Sequence, residues 1–279
     1  MTAPSNVWQG SRRLVSHPKV ARFGSLYVAE YRLRNMWKWK TSVILFGLGN
    51  PVLYLASIGL GIGALVDANS PNGINGVSYM QFIAPALLAT AAIQSTMDET
   101  MFPTMDGFVW GKIFHAVGNT GLRGRQIAAG VAWSAMVRTV FTVGAYYAVL
   151  LAFGALEFSA SWPLVFASMY AGWGFGMAML AMASFVKQDD GFFAIFGRFV
   201  ITPMFLFSGT FYPLDILPTY LQAIGWVSPL WHATNLGRYL SFDYPVDGTL
   251  LLVHVCYLLI LGVVGLRVAG WQYERRLAK

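Results

Sequence analysis

The sequence is poor in the charged residues that cover the surface of a soluble protein. Charged side chains make up 11% of its 279 residues, against about 25% in an average soluble domain. Hydrophobic residues reach 56%, and the mean hydropathy is +0.55. These values predict a protein whose main solvent is lipid. The net charge of +7 lies beside apolar segments, so no nucleic-acid partner is expected.

The sequence also lacks the common catalytic and metal-binding motifs. A single cysteine, Cys256, excludes an intramolecular disulfide. The four histidines are too dispersed in the sequence to indicate a metal site, and no HExxH or GxSxG motif is present. Residues 107–113, GFVWGKI, lack the four-residue gap and the Ser/Thr of a nucleotide-binding loop. No cofactor is expected on this chain, and any energy source must belong to another chain.

Long apolar runs predict an all-α membrane protein with six transmembrane helices, because a helix needs about 20 apolar residues to cross a bilayer. The runs are residues 41–66, 77–97, 127–153, 162–186, 191–211 and 248–270. We interpret residues 41–279 as one transmembrane domain. It follows an N-terminal region, residues 1–40, in which no cleavable signal peptide is expected.

The basic residues lie on one side of this predicted arrangement. Sixteen of the nineteen Lys and Arg fall in residues 1–40, 98–126, 187–190 and 267–279, which the positive-inside rule places in the cytoplasm. Arg238 is the single cation of the opposite segments. We expect a multi-pass protein of the cell (inner) membrane with both termini in the cytoplasm.

Residues 18–40 predict an amphipathic helix that lies in the cytoplasmic interface of the membrane. Arginines and lysines surround an apolar stripe at helical spacing, and two tryptophans end the segment. The stripe consists of Val20, Phe23, Tyr27 and Tyr31. A solvated basic tail is the alternative.

Residues 98–126 form a cytoplasmic connection that is longer than a simple turn requires. Aromatic and charged residues alternate within it, and exposed aromatic residues at this place favour a partner surface. Contact with lipid headgroups is the alternative.

Residues 212–247 are interrupted by Pro213, Pro218 and Pro229, which excludes two full spans. Helix starts at Pro218 and Ser228 predict two short re-entrant helices on the outer side. Such backbone must be buried or must face a wet cavity. The aromatic residues of this segment are substrate-path candidates or parts of an interfacial belt: Tyr212, Tyr220, Trp226 and Trp231.

Few ionisable groups occur within the predicted spans. All twelve acids fall at span ends or in loops, which argues against an ion-coupled carrier. Arg138 lies eleven residues into the third span, about 16 Å deep. It is a candidate contact for an anionic substrate, and pairing with carbonyls or a carboxylate at a subunit seam is the alternative. Arg198 can reach the interface, and His254 is expected to be hydrogen-bonded between helices.

Two glycine runs predict close helix packing. They are Gly59, Gly61 and Gly63, and Gly172, Gly174 and Gly176.

The whole chain resembles the permease subunits of ABC-2 type ATP-binding-cassette exporters. Residues 208–238, SGTFYPLDILPTYLQAIGWVSPLWHATNLGR, are similar to the closing signature of that family. Residues 41–63 and 79–100 are similar to the branch that contains nodulation protein J. Residues 116–130 lack the Thr-Pro and Gly-Glu pairs expected of that branch.

The resemblance implies a permease dimer, of two copies or of two paralogues, held by two cytoplasmic ATPase subunits that bind ATP and Mg. The loop after the second span would dock on the ATPase as a coupling helix. The residues that carry this expectation are Glu99, Phe102, Asp106, Phe108, Trp110 and Lys112.

The branch implies export of an amphipathic glycolipid, a lipid-linked glycan such as a lipo-oligosaccharide or polysaccharide, or a similar lipophile. Efflux of a drug or antibiotic by the same machinery is one alternative. A membrane-embedded glycan transferase is another, and it would have to use the outer carboxylates Asp215, Asp243 and Asp247.

Overall fold

The computed structural model describes residues 18–38, 40, 41, 45, 49, 52–70, 73–188 and 191–278, and these contain helices and no strand. The separate residues 40, 41, 45 and 49 are helical, and the other helical residues form eleven helices and two single turns. The helices are α1 Pro18–Trp37, α2 Val52–Asn69, α3 Tyr79–Met105, α4 Ile113–Gly118, α5 Gly124–Ala152, α6 Phe158–Ser161, α7 Pro163–Phe185, α8 Phe192–Phe207, α9 Thr219–Val227, α10 Pro229–Phe242 and α11 Gly248–Leu277. Single helical turns occur at Asp106–Trp110 and Leu214–Ile216.

Four stretches of the described chain are long and apolar enough to cross a membrane. They are Val52–Asn69, Gly124–Ala152, Phe158–Phe185 and Gly248–Leu277. They correspond to the first, third, fourth and sixth predicted spans, and they confirm an all-helical, multi-pass membrane protein. Residues 42–44, 46–48, 50 and 51 of the first predicted span lie outside the described residues.

The second and fifth predicted spans differ in length from the helices observed. Helix α3 has 27 residues and continues to Met105, eight positions beyond the predicted end. Helix α8 ends at Phe207, because the chain turns at Gly209 with a φ of +69°. The predicted end of the fifth span at residue 211 is therefore wrong.

Helix α3 is the central helix of the fold. It contacts α5, α7 and α10, and most of its residues are buried. The glycine run of α7 permits this packing, as predicted. A Cβ added at Gly172 would lie 2.8 Å from the Thr96 hydroxyl of α3, and one at Gly174 would lie 2.8 Å from the Leu258 carbonyl of α11.

Helix α1 packs against α5 through its small residues. Gly24, Val28 and Ala29 are buried, and a Cβ added at Gly130 would lie 2.5 Å from the Cβ of Val28. The predicted apolar stripe faces outward, with Tyr31 50% exposed. The helix is confirmed, and its position in the membrane interface stays a prediction.

The two short helices after α8 begin where the sequence predicts. Helix α9 follows Pro218, and α10 follows Ser228, whose hydroxyl accepts a hydrogen bond from the Leu230 N–H at 3.2 Å. Both starts depend on local capping chemistry.

Candidate functional site

A compact turn and the short helix α4 connect α3 to α5. The N–H groups of Gly111 and Lys112 donate to the Asp106 carbonyl at 2.9 and 3.0 Å. Lys112 has a φ of +53°, and the chain reverses there into α4. The predicted coupling segment therefore starts inside a helix, since Glu99 and Phe102 belong to α3.

Phe108 lies at the centre of an aromatic cluster beneath this turn. Its side chain is 4% exposed, and its ring centroid lies 5.2 Å from Phe114 and 4.7 Å from Tyr273 of α11. The guanidinium of Arg276 lies 4.2 Å from the Phe108 ring centroid. The prediction of Phe108 as an exposed aromatic residue is wrong, because its neighbours in α11 cover it.

Phe102, Trp110 and Lys112 are the exposed members of the predicted coupling set. Phe102 is 50% exposed and Trp110 is 47% exposed. The Phe102 ring lies 6.4 Å from the Phe193 ring of α8. A partner that binds here would touch Trp110 and Lys112 at the turn itself.

The end of α11 joins this turn to the rest of the fold. The hydroxyls of Tyr273 and Thr104 are hydrogen-bonded at 2.7 Å. Arg276 donates to the carbonyls of Ser184 and Val186 at 3.0 and 2.7 Å, at the end of α7. The chain thus connects the ends of α3, α7 and α11 at one point.

Glu99 binds two arginines from different helices, and we call these three residues the Glu99 cluster. One carboxylate oxygen accepts from Arg138 of α5 at 2.6 Å, and the other accepts from Arg32 of α1 at 3.1 Å. The three side chains are 12 to 17% exposed. Arg32 also donates to the Ser134 hydroxyl at 3.1 Å.

This cluster bears on the two interpretations of Arg138. Arg138 pairs with a carboxylate, as the alternative interpretation expects, although that carboxylate belongs to its own chain; contact with an anionic substrate stays a prediction. Glu99 and Asp98 lie within helix α3, which continues beyond the predicted end of the second span. The role of Glu99 in coupling to an ATPase stays a prediction.

The four outer aromatic residues have different environments. Tyr220 is 75% exposed and Trp226 is 49% exposed. The Tyr212 hydroxyl donates to the Leu206 carbonyl at 2.9 Å, and burial raises the pKa of its phenol. Trp231 packs against His232 and a second histidine, with ring centroids 5.0 and 4.9 Å away.

That second histidine is His254 of α11, which is hydrogen-bonded between helices as predicted. Its Nδ1 lies 2.8 Å from Nδ1 of His232 in α10, and His232 Nε2 lies 3.0 Å from the Trp226 carbonyl. The histidines are distant in sequence, yet the fold brings these two together. Among the described residues, no group of three or more His, Cys, Asp or Glu could hold a metal ion.

Arg238 is a buried residue whose importance sequence reasoning missed. It is 2% exposed and donates to the carbonyls of Phe82, Gly209 and Thr210 at 3.2, 2.8 and 3.3 Å. Its guanidinium also lies 3.6 Å from the Phe82 ring centroid. The side chain holds the turn after α8 against α3 and α10. The sequence signal for this residue is that Arg238 is the single cation in the segments predicted to lie on the outer side of the membrane.

Comparison with known proteins identifies the family to which the chain belongs. Residues 26–242 match the model of the ABC-2 type transporter family. Nodulation protein J of Rhizobium leguminosarum bv. viciae is 30% identical over 268 residues, which cover 92% of this chain and 96% of that protein. The protein of the same name from Sinorhizobium fredii is 30% identical over 258 residues, covering 90% and 94%.

A relative with lower sequence identity matches over a similar share of both chains. Nodulation protein J of Bradyrhizobium diazoefficiens is 26% identical over 268 residues, which cover 88% of this chain and 92% of that protein. No solved structure matches the chain. The family match over most of the sequence, together with the apolar helices, shows that this chain belongs to the ABC-2 type transporter family, as a multi-pass permease similar to nodulation protein J.

Proposed function

We propose that this permease is the membrane subunit of an ATP-driven exporter, and that ATP and Mg bind to separate ATPase chains. The connection of the exposed turn after α3 to the ends of α7 and α11 carries the proposal. A force applied to that turn reaches three long helices without passing through a flexible segment. The family match supports the class of transporter.

The proposed complex contains two permeases, of one kind or of two paralogues, and two ATPase subunits. Helices α3 and α8 complete six crossings of the inner membrane, and both termini lie in the cytoplasm. The stacked basic segments support this orientation through the positive-inside rule.

In this proposal the members of the coupling set have three roles. Trp110 and Lys112 form the surface that an ATPase groove would hold. Phe108 transmits movement, because its ring packs on Tyr273 and beneath Arg276. Glu99 acts at a distance from the ATPase by fixing α3 to α1 and α5.

The proposed cargo is an amphipathic glycolipid, a lipid-linked glycan or a similar lipophile. The resemblance to the nodulation protein J branch supports this class. The exposed rings of Tyr220 and Trp226 on α9 also support it, because aromatic rings on an outer helix suit sugar faces and lipid chains.

Two tryptophans of almost equal exposure test the coupling surface. The permease and its ATPase are purified together in lipid vesicles, and ATP hydrolysis is measured for Trp110→Ala and Trp226→Ala. Trp110 is 47% exposed and Trp226 is 49% exposed, so each variant removes a similar surface ring. We expect Trp110→Ala to lower permease-dependent ATP hydrolysis and co-purification of the ATPase by about ten-fold, as for an interface hot spot.

Trp226→Ala is expected to keep the ATPase bound, because α9 lies away from the coupling turn. If both variants retain the ATPase and its activity, the docking surface is elsewhere. Cargo is assessed separately by the ATP-dependent appearance of glycolipid in the outer leaflet. Efflux of a drug with no glycolipid movement would replace the proposed cargo and leave the transporter class unchanged.

A further inference from the structure

An apolar groove lies between α1 and α5, on a surface that the proposed export cycle does not require. Leu26, Leu33 and Trp37 of α1 form one wall, and Trp133 and Val137 of α5 form the other. The groove has a volume of about 530 Å³, which is within the usual range for ligand sites of about 300–1,000 Å³. Trp37 is 67% exposed and Trp133 is 56% exposed, so the groove is open to its surroundings.

One end of this groove carries positive charge. The Arg34 side chain lines the groove and is 79% exposed. The Lys40 ammonium lies 5.4 Å from the centroid of the Trp37 ring, and Lys38 is exposed beside it. Glu30, which pairs with Arg34 at 2.6 Å, is the single acid among the described residues that line the groove. The groove therefore offers an apolar channel that ends at an excess of cations.

Ion pairs join the two helices beside the groove. Leu33 and Val137 are the sequence neighbours of Arg32 and Arg138, whose ion pairs with Glu99 join α1 to α5. The two walls of the groove are therefore linked to each other, and the excess of cations at its end favours an anion.

We propose that this groove binds one anionic phospholipid of the surrounding bilayer. An acyl chain would lie between Trp37 and Trp133, and the phosphate would lie beside Arg34 and Lys40. Tryptophan and basic residues together are typical of the level at which lipid headgroups meet the acyl region. A zwitterionic lipid would fill the apolar part but would bring no net negative charge to the excess cations, so the site discriminates by the net charge of the headgroup.

Quenching of tryptophan fluorescence by brominated phospholipids tests this site, because Trp133 is one of its walls. The whole permease is reconstituted in phosphatidylcholine vesicles with small amounts of brominated phosphatidylglycerol or brominated phosphatidylcholine. The contribution of Trp133 is the difference between the unchanged chain and Trp133→Phe. We expect the brominated anionic lipid to quench this contribution at about five-fold lower mole fraction than the brominated neutral lipid.

A pair of charge variants identifies the cause of the preference. Arg34→Gln with Lys40→Gln is expected to abolish the preference for the anionic lipid. Lys187→Gln with Arg275→Gln removes two exposed cations that do not line the groove, and it is expected to keep the preference. Fluorescence-detected thermal unfolding confirms that each variant is folded.

Three outcomes overturn the proposal. Equal quenching by the two lipids would mean that the groove is ordinary lipid contact. An absence of quenching at Trp133 by either lipid would mean that a second copy of the chain or another protein covers the groove. An equal loss of preference in both charge variants would mean that total charge, and not this site, attracts the lipid.

Discussion

Replacing Glu99 by glutamine removes the only negative charge from the Glu99 cluster while keeping the size of the side chain. The described structure places two guanidinium groups at 2.6 and 3.1 Å from this carboxylate. In Glu99→Gln, one amide oxygen can accept from one arginine, and the amide nitrogen faces the other. Two cations then remain close together without the carboxylate that binds both of them.

The magnitude follows from the burial of the three side chains, which are 12 to 17% exposed. Breaking a buried ion pair by removing one partner costs about 3–5 kcal/mol. The remaining hydrogen bond and the partial exposure place Glu99→Gln at the lower end, at about 3 kcal/mol. Replacing both Glu99 and Arg138 by methionine is expected to cost less than the sum of Glu99→Met and Arg138→Met, because both single changes remove the same ion pair, while Arg32 keeps only its hydrogen bond to Ser134.

The assay is reversible unfolding of the permease in mixed detergent micelles, with the free energy of unfolding measured for the single variants and the double variant. A coupling energy of about 1–3 kcal/mol between Glu99 and Arg138 is expected. ATP-driven transport is measured on the same proteins.

Additive free energies of unfolding for Glu99 and Arg138 would refute the structural role of this pair. A folded double variant that had lost transport with normal ATPase binding would instead return Arg138 to the substrate path. A folded double variant that transports normally would show that the pair serves stability alone.

Three further changes test other contacts of the fold. Arg238→Met removes the donor of three hydrogen bonds to backbone carbonyls and should lower the free energy of unfolding by about 2–3 kcal/mol, with Arg238→Lys recovering part of the loss. His254→Phe leaves His232 Nδ1 without its partner and should cost about 1–3 kcal/mol; an unchanged unfolding free energy would exclude the histidine hydrogen bond. Gly265→Ala places a Cβ 2.5 Å from the backbone of α7 and should cost about 1–3 kcal/mol in the same assay, whereas Gly144→Ala meets open space and should be neutral or slightly stabilising.

The sequence predicts those parts of this fold that depend on local chemistry. The starts of α9 and α10 at Pro218 and Ser228 are correct because proline and serine act on the first turn of their own helix. Helices α5, α7 and α11 are recognisable because each has a long apolar run. The end of α8 was missed because the turn there depends on the backbone of Gly209, which a hydropathy pattern does not report.

The parts that could not be predicted depend on contacts between distant residues. Glu99 and Arg138 are 39 positions apart, so neither residue reveals its partner. Phe108 is buried by residues of α11, and the pattern of residues 98–126 alone contains no information about that cover. The same applies to His254, whose predicted hydrogen bond was correct but whose partner in α10 was not foreseen.

The burial of helix α3 has a consequence for how the protein is made. Of the helices that cover predicted spans, α3 emerges from the ribosome second, yet it packs against α5, α7 and α10, all synthesised after it. Thr96 and Glu99 lack their partners on α5 until that helix is in place, and until then Glu99 has only Arg32 of α1. Because chains are released residue by residue from the N-terminus, α3 is complete before α5, α7 and α10 are available to bury it. Shortened chains that stop before α5 should therefore be degraded, even though they contain a complete first span.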